Sequence, residues 1–96
     1  MPLFNIYAIP IMDGAFASTY RILDENPRLA SVPSVVACRA TAEEARNNVH
    51  RAAEEAQNAT GFFGRMMARR AVRQAGFAAK LALDALVATA DRNDVE

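Results

Sequence analysis

All four prolines of this 96-residue chain, Pro2, Pro10, Pro27 and Pro33, fall within residues 1–40. Proline is the worst residue for a helix interior, by roughly 3 kcal/mol relative to alanine, the best. From Thr41 onward there is no proline and alanine dominates. The front of the chain also holds most of the β-branched residues. This asymmetry predicts an α+β fold: an N-terminal β-hairpin and a third strand forming a small antiparallel sheet, with two C-terminal helices packed on it as an α-hairpin. The expected division of a single domain spanning 1–96 is a β-rich segment 1–40, a first helix 41–60, a second helix 62–90 and a frayed tail 91–96.

Within the front, Leu3 to Met12 alternates as a strand would. Asp13-Gly14 suits a tight turn, and Ala15 to Leu23 is the returning strand, placing Ile11 opposite Phe16. Pro10 cannot donate to a ladder and implies an edge or bulge there. Phe16, Tyr20 and Leu23 also fit one face of a helix, which leaves a second reading open for this segment. Residues 24–33, with Asn26-Pro27, read as a loop. Ser34 to Ala40, with its apolar Val35-Val36-Ala37-Cys38 run, reads as a buried third strand.

The back opens on Thr41-Ala42-Glu43-Glu44, a capping-box pattern that starts a helix. Its apolar seam, Ala42, Ala45, Val49, Ala52, Ala56 and Ala59, is nearly all alanine. Such a seam admits close approach but buries little area at about 25 cal/mol per Å2, so a monomer is marginal and a homodimer is expected. Gly61 is placed as a left-handed cap. In the second helix, with a bend expected at Gly76, Met67, Ala71, Ala75, Ala78, Ala82, Ala85 and Leu86 form the expected core side, flanked by Phe63, Leu81 and Val72.

Composition narrows the function classes. The chain is 52% hydrophobic and 23% charged, which calls for a packed core rather than disorder. Its single cysteine, Cys38, forms no internal disulfide, which points to a reducing cytoplasm. No apolar run reaches the length of a membrane span, and the start lacks the basic residues of a signal peptide. No catalytic, cofactor or metal site is expected. One His and one Cys fall short of a zinc set. His50 is read as a surface partner of Glu54 four residues on, and Cys38 as an inert core thiol rather than the nucleophile of a Cys38–His50 pair. Gly61-Phe62-Phe63-Gly64 matches no phosphate loop.

Charge is segregated. Residues 1–60 carry five basic and seven acidic side chains, net −2. Residues 61–83 carry Arg65, Arg69, Arg70, Arg73 and Lys80 with no acid, net +5, and residues 84–96 are net −3. Phe62, Met66 and Phe77 project with the arginines, and aromatic, Met and Arg side chains together are what protein interfaces enrich. The expected site is therefore Phe62, Arg65, Met66, Arg69, Arg73, Phe77 and Lys80, on a non-enzymatic module that binds a protein partner or a second copy. Nucleic acid on the same arginine face is an alternative, set back by the flanking acids. Attachment of Phe62-Phe63-Met66-Met67 to a membrane surface ranks last.

A strand followed by Ala-Thr-Ala-Glu-Glu-Ala-Arg opening a helix, residues 40–46, resembles small α+β proteins of phages and mobile elements, among them the anti-CRISPR inhibitors of host defence complexes. The resemblance covers about ten residues. It implies action by binding and inhibition rather than catalysis, and it assigns no site residue.

Overall fold

The computed structural model describes residues 9–94, and among them there is no strand. The chain forms α1 (Ile9–Asp24), a single-turn α2 (Pro27–Ala30), α3 (Pro33–Asn58) and α4 (Gly61–Asp94). The predicted sheet is overturned: this is a helical bundle, not an α+β fold. The part of the predicted first strand before Ile9 lies outside the described residues. Its remainder, the Asp13-Gly14 turn and the predicted returning strand all lie within α1, and the third strand lies within α3.

The prolines explain the difference. Pro10 is the second residue of α1, and Pro27 and Pro33 each open a helix. In the first turn the missing N–H has no intrahelical acceptor to lose, and the fixed φ already suits the helix. These prolines therefore mark helix starts. The Asn26 side chain caps α2 by accepting from the Leu29 N–H at 3.3 Å, so residues 24–33 are a helical corner rather than a loop. Thr41 starts nothing: it sits inside α3, where its hydroxyl donates back to the Ala37 carbonyl at 3.2 Å.

Buried residues recur at seven-residue intervals on every long helix: Ile9, Phe16 and Leu23 on α1; Val35, Ala42 and Val49 on α3; Val72, Ala79 and Leu86 on α4. A seven-residue repeat keeps one stripe of each helix on a common axis, as in coiled coils. Phe16, Leu23, Leu86, Val35 and Val49 are the largest fully buried side chains, and burying each such group stabilises by roughly 1.5–3 kcal/mol. Ala42 stands at the level of Leu86 and Ala79 at the level of Val49, and these small side chains let α3 and α4 approach closely; the contact between these two helices is the most extensive in the molecule.

Polar contacts fix the directions. Asp13 meets His50, Tyr20 meets Glu43 and Asp24 meets Arg39, so α1 runs antiparallel to α3. Cys38 lies 3.5 Å from the Thr89 hydroxyl, and Asn93 donates to Ser34 at 3.5 Å, so α4 runs antiparallel to α3. The topology is up-down-up. Asn93 also donates to the Thr89 carbonyl at 2.7 Å, and helix persists to Asp94 where a frayed tail was expected. α4 crosses Gly76 as one unbroken helix.

α4 has 34 residues against 26 in α3, and the Ser34–Asn93 contact holds their far ends level. The surplus falls at the other end, about 12 Å of helix at 1.5 Å per residue. Ala59 leaves α3 in extended conformation, and after Thr60 Gly61 takes φ +77, the left-handed region that glycine enters without strain. The molecule measures 53 × 21 × 19 Å, its long dimension set by α4.

Candidate functional site: the exposed face of α4

From Gly61 to Ala71 no side chain is buried, and only Ala68 is partly covered; Val72 is the first core residue of α4. This free end carries Phe62 at 72% exposure, Phe63 at 74%, Met66 and Met67. The two phenyl rings touch edge to face, centroids 5.7 Å apart, and both remain in solvent. Farther along, Phe77 and Leu81 are exposed on the same helix.

Among the described residues no acid lies within ion-pair distance of Arg65, Arg69, Arg70 or Arg73, while Lys80 pairs with Asp84 at 3.3 Å. At about 100° per residue, Phe62, Met66, Arg69, Arg73, Phe77 and Lys80 occupy one side of α4. Arg65 lies at the margin of that side, on the free end. The seven expected residues are all exposed.

The core side of α4 differs from the expected one by a rotation of roughly 70°. Val72, Ala79 and Leu86 are its centre, whereas Met67, Ala71, Ala78 and Ala85 face water. Phe63 and Leu81, expected beside the core, join the exposed face, as does Arg70. The signal for them was present in their spacing, since Phe63, Arg70 and Phe77 stand seven apart.

The remaining candidate chemistry is structural. His50 bonds Asp13 at 2.9 Å rather than Glu54, and Arg46 reaches the same Asp13 oxygen at 3.7 Å. Cys38 and His50 stand twelve residues apart on α3, about 18 Å of rise, and cannot act as a pair. Cys38 belongs to a helix and not to a strand, half-buried against Thr89. Tyr20 donates to Glu43 at 2.8 Å, with the Arg39 guanidinium 4.6 Å from its ring centre. Burial first, and the Glu43 carboxylate second, push the Tyr20 phenol well above its ordinary range. The hydrogen bond from Arg39, 2.9 Å long, holds Asp24 below the usual carboxylate range and raises Arg39 in turn. A shallow hollow lies beside His50, lined by Ile9, Pro10, Ala53, Glu54 and Gln57. Among the described residues no cluster of His, Cys, Asp and Glu has the makings of a metal site.

No protein-family model matches the chain, and neither the curated proteins nor the solved structures compared with it give a match. Residues 40–46 lie inside α3, so the strand-to-helix junction that carried the resemblance to small phage proteins does not exist here. No helix among the described residues is long and apolar enough to cross a membrane.

Proposed function

We propose that this chain is a non-enzymatic protein-binding module whose docking surface is the exposed face of α4, reaching from its free end at Phe62 to Lys80. The observation that carries this reading is the free end itself: bulky apolar groups and arginines without acid partners among the described residues, on helix that the bundle does not need for its own core. A partner suited to it presents an apolar patch bordered by carboxylates. The phenyl rings and Met66 supply area, and each guanidinium supplies a planar fork that pairs with carboxylates two ways.

The test is to recover the partner from the source cells by cross-linking, purify it, and measure its affinity for wild type and for Phe62→Ala, Arg69→Ala and Phe77→Ala. At least one of the three is expected to lose more than about 1 kcal/mol of binding, the threshold that marks contributing interface residues. Wild-type affinity in all three variants would overturn the assignment.

Nucleic acid is the second reading, supported by Arg65, Arg69, Arg70 and Arg73, which have no acid partner among the described residues, beside two exposed rings on which bases could stack. It requires binding that weakens with salt at a log–log slope of about −4 to −5 if all five cations of this segment meet phosphates. Lack of retardation in a low-salt gel shift rejects it. Inhibition of a host defence complex, the narrower form of the protein-binding reading, has no support beyond the small size of the chain.

A further inference from the structure

We infer that the outward face of α4 pairs antiparallel with the same face of a second copy of this chain. The inference rests on the protein-binding reading and names the partner of that face.

Stepping by three and four from Phe63 to Asp91 stays within an arc of roughly 80° on α4, and every position on that line is exposed. The line divides into zones. Arg70 and Arg73 form its cationic part, just past the apolar Phe63 and Met66. Phe77 and Leu81 form its centre, 64% and 53% exposed. Asp84 and Asp91 form its acidic part. Of these four charges only Asp84 has an ion-pair partner among the described residues, the exposed Lys80 on its own helix.

A face ordered cation, apolar centre, anion complements itself under one operation. A two-fold axis running beside the outward face of α4, at the level of Ala79, sets Phe77 against Leu81 of the second copy, and Leu81 against its Phe77. It also brings Arg73 beside the other copy's Asp84, and Arg70 within a turn of its Asp91, each contact occurring twice, as an isologous interface requires. The alternate three- and four-residue steps are those of helices that pack side by side along a seam. A parallel pair would set arginine on arginine and aspartate on aspartate. A foreign acidic partner would match the arginines but would meet Asp84 and Asp91 at the other end with like charge. The charge order therefore favours a second copy. In this pairing Met66 lies along the far end of the other α4, and Phe62, Phe63 and Arg65 stay at the two ends of the dimer.

Light scattering and sedimentation across a concentration series test this, with helicity checked by circular dichroism for each variant. Wild type is expected at twice the 10.4 kDa of one chain. Arg73→Asp and Asp84→Arg alone are each expected to raise the dissociation constant by about tenfold or more, since each sets like charges together. The combined Arg73→Asp/Asp84→Arg chain is expected to recover the dimer, because the swapped charges meet again across the two-fold. A wild type that stays monomeric at every concentration overturns the inference, as does a dimer that the single reversals leave intact or that the combined swap fails to recover. If wild type is monomeric while Phe62→Ala or Arg69→Ala still weakens a purified foreign partner, the protein-binding reading survives without this inference. If the dimer follows the charge swaps and no foreign partner senses those alanines, the second copy alone is the partner of this face.

Discussion

The body of the bundle and the free end of α4 are built from the same residue types and use them in opposite ways. In the body Phe16 is 1% exposed, whereas Phe62 and Phe63 at the free end are more than 70% exposed. In the body Arg39 binds Asp24 and Arg46 lies between Asp13 and Glu43. Arg65, Arg69 and Arg70 have no such acid among the described residues. The fold therefore accounts for the residues of the first region and leaves those of the second without a stabilising role. That difference, rather than the helical architecture, is what points to a working surface.

The largest expected effects break the comparison most directly. Phe16→Ala should destabilise by about 3–5 kcal/mol, and Leu86→Ala by about 2–5 kcal/mol, because each removes a fully buried side chain from a packed layer. Phe63→Ala should shift stability by less than about 0.5 kcal/mol, the usual range for surface substitutions. Urea unfolding followed by circular dichroism reads all three. A Phe63→Ala chain as unstable as Phe16→Ala would show that the free end belongs to the folding core and is no spare surface.

Adding bulk probes the same contrast from the other side. Ala42 has no exposed surface and sits where α3 meets α4. Ala42→Leu must push the helices apart or strain its neighbours, at a cost of about 1–3 kcal/mol. Ala71→Leu on the exposed side of α4 should be neutral within about 0.5 kcal/mol. A comparable loss at both positions would place Ala71 against a surface that the bundle covers.

These contrasts also show what was legible in the sequence. α4 was legible because a proline-free, alanine-rich segment has few alternatives to helix, and the exposed arginines with Phe62, Met66 and Phe77 could be read from spacing. The front was not, because a proline in the first turn of a helix and a proline at a strand edge look alike in sequence. The seven-residue spacing of Ile9, Phe16 and Leu23 was the stronger signal there. The rotation of α4 is not legible in the sequence for a different reason: alanine lies on both sides of it, with Ala79 buried and Ala71, Ala78 and Ala85 exposed. A helix with so little contrast between faces has its orientation set by where Val72 and Leu86 find a partner.

Two glycines sharpen the comparison at a smaller scale. Gly14 lies in α1 and Gly64 in the free end; a methyl group added at either meets nothing within 4 Å. Replacing a helical glycine by alanine in a compatible conformation stabilises by about 0.4–1 kcal/mol. Gly14→Ala should raise the global unfolding free energy by that amount. Gly64→Ala should instead slow hydrogen exchange locally at the start of α4 and leave the global transition almost unchanged, since helix that its own chain leaves uncovered can open by itself. A global gain from Gly64→Ala equal to that from Gly14→Ala would couple the two regions into one cooperative unit.

At neutral pH the least visible difference lies in Tyr20, which ties α1 to α3 where no corresponding side chain ties down the free end. Its phenol is held above its ordinary value by burial and then by the Glu43 carboxylate. The folded state therefore keeps this proton at a pH where the unfolded chain has released it. The contribution is present in full below the unfolded pKa of about 10 and is lost as pH rises from there toward the folded value. Wild type should consequently lose stability more steeply above about pH 10 than Tyr20→Phe, which has nothing to titrate at this position. Other alkaline groups act alike in both chains and cancel in the difference. Parallel alkaline unfolding curves for the two chains would mean that burial and the Glu43 carboxylate exert no hold on the proton, and that α1 is fastened to α3 by its apolar stripe and its Asp13 and Asp24 contacts without help from Tyr20.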